Sequence, residues 1–263
     1  MIDPFVFSLI QSLIAAAVGV ILLAIIWYIV SLVKHRNDVA DIGWASYFIM
    51  IAVGTYALHW PRVDLRLMPI LVVLIWGFRL SSHIAARHAV SGEDKRYLAW
   101  RAAWGNGWYF YVRSFLQVFF LQGILAFVIA APLIVLGTFG PLRPLWVGLG
   151  LLVWVTGFLI EKTADEDLAA HLKKATIPSI CQKGLWSYSR HPNYFGEAVQ
   201  WWGVWIMAIG APFWLPAIIG PVTITFLLRF VSGVPMTEKG MERLPGFEEY
   251  KKRTNVFVLW VRK

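Results

Sequence analysis

Apolar residues run through this chain in long blocks broken by short polar stretches. A helix needs about 20 mostly apolar residues to cross a bilayer. Seven blocks meet that need: residues 5–33, 40–60, 67–88, 108–136, 144–163, 194–213 and 214–235. Only Gly210-Ala211-Pro212 separates the last two, which predicts a tight helical hairpin. The pattern predicts an all-α membrane protein of about seven transmembrane helices. It reads as one polytopic domain over residues 1–263, with its densest polar chemistry in 161–263. The first block is too long for a signal-peptide core and lacks basic residues before it, so it is expected to be retained.

Composition agrees: 59% of residues are hydrophobic and 15% charged, against about a quarter charged in a soluble domain. The net charge of +9 follows topology. Lys34 and Arg36 follow the first block. Arg87, Lys95, Arg96 and Arg101 follow the third, and Lys162, Lys173, Lys174, Lys183 and Arg190 the fifth. The tail adds Lys239, Arg243, Lys251, Lys252, Arg253, Arg262 and Lys263. Only Arg62, Arg66 and Arg143 fall on the other side. The positive-inside rule then predicts an external N-terminus and a cytoplasmic C-terminus. One cysteine, Cys181, excludes an internal disulfide and a Cys-rich metal site. No His/Cys/carboxylate spacing suits a metal and no nucleic-acid motif occurs.

Ionisable residues inside spans are costly and tend to face the bundle interior. Arg79, His83 and Arg87 recur at i, i+4 and i+8, one helical stripe, with Trp76 on the same face. Their planar guanidinium forks suit phosphate, although snorkelling to the interface also accounts for Arg87. Glu161 and Asp165 share a face at the exit of the fifth block, either exposed or paired with those arginines. Asp41 opens the second block, and His59 is expected at the outer interface. Arg229 precedes Ser232-Gly-Val-Pro235, a site for a kink whose freed carbonyls can line a cavity; a buried ion pair is the plainer alternative for Arg229.

The densest polar stretch runs from Gly184 to Glu197 and includes Arg190-His191-Pro192-Asn193-Tyr194-Phe195-Gly196-Glu197. Pro192 suits a helix's first turn, where its missing donor is not needed. The open amides there favour anions, and Arg190 and His191 add donors. Asn193 and Glu197 share a face with Trp201. The tail, with Glu238 and Phe247-Glu-Glu-Tyr250-Lys-Lys-Arg253, reads either as a surface helix on anionic lipid or as a cover over a polar ligand.

These two stretches closely resemble a bacterial integral-membrane family of unknown function related to the steroid 5α-reductase C-terminal domain. The resemblance spans most of the chain from the second block onward. It implies a seven-helix protein of the bacterial inner membrane whose polar site binds NADPH from the cytoplasm. The implied reaction is hydride transfer to the activated carbon–carbon double bond of a hydrophobic enone, steroid-like or another lipid. Membrane lipids and a hydrophobic substrate are the expected partners, without nucleic acid or an obligate protein partner. By the resemblance, Asn193 and Glu197 hold the nicotinamide end, Asp165 is a cofactor-binding acid and Arg79 a basic cofactor contact. His83, Arg87, Arg190, His191, Tyr194, Glu238, Tyr250 and Arg253 complete the expected cofactor set, and Lys173 and Lys174 fall near a family arginine. Trp76 stands where reductases place a substrate-polarising tyrosine, and indole cannot replace a phenol as an acid. Asp41, if protonated, or a water near Trp76 is the candidate proton donor. The paired tail histidines of steroid reductases are missing. Isoprenylcysteine carboxyl methyltransferases, of the same superfamily, share the Arg-His-Pro-x-Tyr-x-Gly element and the Tyr-Lys-Lys-Arg tail. They make S-adenosylmethionine-dependent methyl transfer the rival reading. A non-enzymatic lipid-binding or transport protein is the third.

Overall fold

The computed structural model describes residues 2–59, 64–138, 140–174, 177 and 179–260. Arg62, Arg262 and Lys263 lie outside them. The described residues contain no strand; a single parallel bridge joins Ser189 to Asn255. Among the described residues, six helical stretches are long and apolar enough to cross a membrane: Pro4–Lys34, Val39–Ala57, Leu67–Ala89, Trp108–Ile129, Pro144–Lys174 and Pro216–Met241. The stretch expected over 194–213 is instead a 16-residue helix, Pro192–Met207, followed by an irregular turn with Gly210 and Phe213 at positive φ. Internal contacts divide the chain into two compact units, Met1–Pro144 with Ala208–Ala217, and Leu145–Met207 with Ile218–Lys263.

The first unit is built around α1 (Pro4–Lys34), α2 (Val39–Ala57) and α3 (Leu67–Ala89). Helix α1 turns small residues inward: Ser8, Ser12, Ala16, Val20 and Ala24 are buried at four-residue spacing. Such a stripe lets backbones approach closely where lipid removes most of the hydrophobic drive between helices. Its other faces carry exposed Ile14, Ile21, Ile25 and Ile29, which lipid can cover. Helix α2 is the central element and buries Tyr47, Phe48 and Ile51. His59, expected at the outer interface, is buried just beyond α2 and 3.0 Å from Ser8 Oγ. The short α4 (Lys95–Trp104) starts at Asp94, whose carboxylate accepts from the Arg96 amide at 2.8 Å, an N-cap.

The expected span over 108–136 is not one regular helix. Helix α5 (Trp108–Ser114) passes into a π-helical segment, Phe115–Phe120, and continues as α6 (Leu121–Ile129). A break at Ala130 then separates α7 (Ala131–Gly137). The Tyr47 hydroxyl donates to the Phe119 carbonyl at 3.2 Å, so a side chain of α2 serves a backbone acceptor of the π segment.

The second unit pairs α8 (Pro144–Lys174) with α9 (Pro192–Met207). At 1.5 Å per residue α8 is about 46 Å long, beyond a bilayer core of about 30 Å. The residues after Glu161 therefore continue the helix instead of ending it. Glycines fix the pairing. A Cβ on Gly157 would lie 2.6 Å from the Gly196 carbonyl oxygen, and one on Gly203 would lie 2.8 Å from the Gly150 carbonyl oxygen. The helices thus meet backbone to backbone at two points seven residues apart on each chain. The unit continues with α10 (Ile219–Phe226), a π-helical segment Leu227–Val231, α11 (Val234–Met241) and α12 (Phe247–Arg253). Cys181 is buried with Trp186 and Ala164 rather than lying idle in an open loop.

Candidate functional site

The α8–α9 contact carries polar rungs beside its glycines. Asn193 Nδ2 donates to Asp165 Oδ1 at 3.2 Å. Gln200 Nε2 donates to Glu161 Oε2, and its second acceptor is the Gly196 carbonyl at 3.4 Å. Glu197 lies one turn along α9 from Asn193 and is buried. Gly157 and Gly196 bring the two backbones close enough for these short side chains to meet. Glu161, expected to be exposed or paired with the third block, is 3% exposed and bonded to Gln200 within this unit. Asn193 Oδ1 also accepts from the Tyr194 amide at 3.0 Å, which orients the side chain at the start of α9.

A second cluster ties the tail to the same helix start. Arg190 Nε donates to Glu238 Oε1 at 2.7 Å, while Nη1 donates to the carbonyls of Thr254 at 2.7 Å and Lys251 at 3.1 Å. His191 is 1% exposed, and its Nε2 lies 3.2 Å from the same Glu238 oxygen. A carboxylate only accepts, so Nε2 carries the proton. Burial pushes the His191 imidazole below its ordinary value; Glu238 opposes that, and Arg190 and Arg229 reinforce it. Tyr194 stacks on His191 at 5.4 Å and its hydroxyl shares a hydrogen bond with Thr237 at 2.9 Å. Tyr250 is fully buried and donates to the Trp186 carbonyl at 2.6 Å; burial raises its phenol above the ordinary range. Arg253 donates to Gln182. Helix α12 is therefore held by its polar as well as its apolar face, which a surface helix on lipid would not need.

The structure brings Asp165, Arg190, His191, Asn193, Tyr194, Glu197, Glu238, Tyr250 and Arg253 into the second unit, in these two clusters. Lys173 and Lys174 end α8 and are exposed. Asp41, Trp76, Arg79, His83 and Arg87 belong to the first unit. There Trp76 is buried edge-on to Phe48, with ring centroids 5.6 Å apart. Asp41 accepts from the Tyr97 hydroxyl at 2.6 Å and from Arg96 at 3.0 Å. Both partners of Asp41 belong to α4 of the first unit.

Three features escaped the sequence reading. Gln200 is buried beside Glu161; its place seven residues after Asn193 was a readable signal. Arg229 sits in the π segment, half-buried, with its guanidinium 4.7 Å from the Phe230 ring. Among the described residues no hydrogen bond or ion pair holds it, so the alternative of a buried ion pair is not met. The third is an ion-pair network in the first unit. Asp38, fully buried, accepts a two-point contact from Arg36 at 3.0 and 2.8 Å and the Asp94 amide at 2.9 Å. Burial works against it, but these donors and nearby His88 hold the Asp38 carboxyl below its ordinary value. Glu93 accepts from the Asn37 amide at 2.6 Å and from Arg101 at 3.2 Å.

No curated protein and no solved structure matches the chain. One family model does, over residues 27–254, a span that includes both α8–α9 and the tail through Thr254, and on that match the chain belongs to the DUF1295 family, described as proteins of unknown function.

Proposed function

We propose that this protein is a membrane-embedded reductase that uses NADPH to transfer hydride to the activated carbon–carbon double bond of a hydrophobic enone. The observation that carries the reading is the buried polar ladder of α8 and α9: Asp165 with Asn193, Glu161 with Gln200, and Glu197 between the rungs. A structural helix pair in lipid does not need three acids there, and each is costly unless it serves a ligand or a partner.

The donor set fits the cofactor. Asp165 and Glu197 offer acceptors to ribose hydroxyls and to a carboxamide N–H, and Asn193 offers both donor and acceptor. Arg229 and the exposed Lys173 and Lys174 suit phosphate oxygens. Arg190 has its donors committed to Glu238 and to the backbone of the tail, so its role is to position the helix start. Bound nicotinamide supplies the hydride; the chain binds and orients it and keeps water from it. The Arg190 contacts to Glu238 and the tail carbonyls hold α11 and α12 as a cover.

S-adenosylmethionine-dependent methyl transfer is the second reading. It is favoured by the contact between the Arg-His-Pro element and the Tyr-Lys-Lys-Arg tail, the two elements shared with the methyltransferases. Purified protein titrated in parallel with NADPH and S-adenosylmethionine separates the two. Saturable binding of NADPH, weakened at least about tenfold by Glu197→Gln, is the expected result. Saturable binding of S-adenosylmethionine alone reverses the ranking.

A further inference from the structure

Gln200 is 2% exposed on a helix that packs backbone to backbone with its neighbour. Its amide is oriented by its partners. The Glu161 carboxylate and the Gly196 carbonyl are both acceptors, so the nitrogen must face them. The oxygen then faces away, and Oε1 is buried without any hydrogen-bond partner. Buried acceptors in this state are uncommon, and an unmet one at a candidate site points to a donor that arrives with the ligand. The position agrees. Gln200 shares the α9 face of Asn193 and Glu197, one helical turn beyond Glu197.

Resting on the NADPH reading, we infer that Gln200 Oε1 accepts a hydrogen bond from the nicotinamide carboxamide N–H and so selects a primary amide at the deep end of the site. Glu161 acts as a positioning residue, because its carboxylate fixes which way the Gln200 amide points. A site that ended in an apolar side chain would not distinguish an amide from a ketone of the same shape. This one disfavours the ketone, because a methyl group stands where the amide N–H would be and leaves the buried Oε1 unmet.

The test compares NADPH with its 3-acetylpyridine analogue, in which a methyl ketone replaces the carboxamide and only the N–H donor is lost. Purified full-length protein is titrated with both, and melting of each variant is followed alongside. Wild type is expected to bind NADPH about tenfold more tightly than the analogue, the worth of one buried hydrogen bond. Gln200→Met, close in volume, is expected to reduce that ratio to about one, mainly by losing NADPH affinity. Glu161→Gln is expected to reduce the ratio partly, since an amide at 161 no longer dictates the orientation of Gln200. A wild-type ratio near one overturns the inference without any variant, so a Gln200→Met chain that fails to fold does not protect it. Equal loss of both ligands in Gln200→Met also overturns it and leaves a purely structural glutamine. Absence of NADPH binding by wild type counts against the parent reading instead.

Discussion

Both units hold buried charge, but they hold it differently. In the first unit the arginines around Asp38 are each paired with an acid, although His88 Nδ1 beside Asp38 and Gln122 Oε1 are buried without a hydrogen-bond partner. Arg36 meets Asp38, Arg96 meets Asp41 and Asp94, and Arg101 meets Glu93. Each cation has an acid close in space, and the leftover donors go to backbone carbonyls at His35, His88, Ser91 and Gly92. In the second unit the polar groups line one helix contact, an acceptor is left unmet at Gln200, and Arg229 lies in a π-helical segment without an acid. A charge-matched network spends its bonding capacity on holding loops together. What sets the second unit apart is that its unmet acceptor lies among three buried acids on one helix contact.

The comparison can be broken most severely at the glycine contacts. Gly157→Leu forces a side chain against the Gly196 carbonyl and the Gln200 amide, both backbone groups that cannot step aside. Overpacking of this kind costs about 1–3 kcal/mol or more, and the α8–α9 ladder is expected to be lost with it. Melting of the purified protein and loss of NADPH binding read the two consequences together.

Asp38→Asn comes next. Removing one partner of a buried pair costs about 3–5 kcal/mol where both charges are buried; Arg36 is about a quarter exposed, so an effect of about 2 kcal/mol is expected. The folded fraction should keep full ligand affinity, which marks the first-unit network as a staple. Glu197→Gln should do the reverse, with melting near wild type and ligand binding markedly weakened.

The pH response sharpens the contrast. The His191 imidazole is held below its ordinary value of 6.5, so the unfolded chain binds the extra proton first and stability falls as pH drops below about 6.5. The Asp38 carboxyl is also held low, but in the carboxylate range. Its contribution is full above the ordinary value of 3.8 and is lost as pH falls through the lower folded value. Two separate acid-side decreases in melting temperature are expected. Replacing His191 with Gln should remove the upper one and leave the lower.

The smallest expected effect is at Lys173 and Lys174. Both are exposed on the last turn of α8, so replacing both with Gln should change NADPH affinity by only a few-fold, and less at high salt. A large, salt-independent loss would place them inside the site and erase the distinction drawn for them.

The helices were legible where pattern and length agree. The ends of α1 and α3 fall within a few residues of the expected blocks, because lipid-facing apolar residues continue to the helix ends. The break at Ala130 carries no polar residue to mark it; its one readable sign is Pro132, which has no N–H to give to the preceding turn. The end of α8 was misplaced for the opposite reason: charge after Glu161 marks departure from the apolar core, not departure from the helix. At the site, the Arg190 to Glu197 stretch declared itself by its density of polar groups. Gln200 left only a faint mark, its place on the α9 face seven residues after Asn193, and its importance lies in an atom left without a partner. Asp38 and Glu93 did not declare themselves, because their nearby arginines, Arg36 and Arg101, were absorbed into the topology rule.

A ligand site in the second-unit ladder and a staple in the first-unit network would answer NADPH differently. The most direct test is the thermal shift given by saturating NADPH to wild type, Asp38→Asn and Glu197→Gln, measured side by side. A clear stabilisation of wild type and an equal one of the less stable Asp38→Asn are expected, with a markedly smaller one of Glu197→Gln. Equal shifts in all three, or no shift in wild type, would contradict that difference.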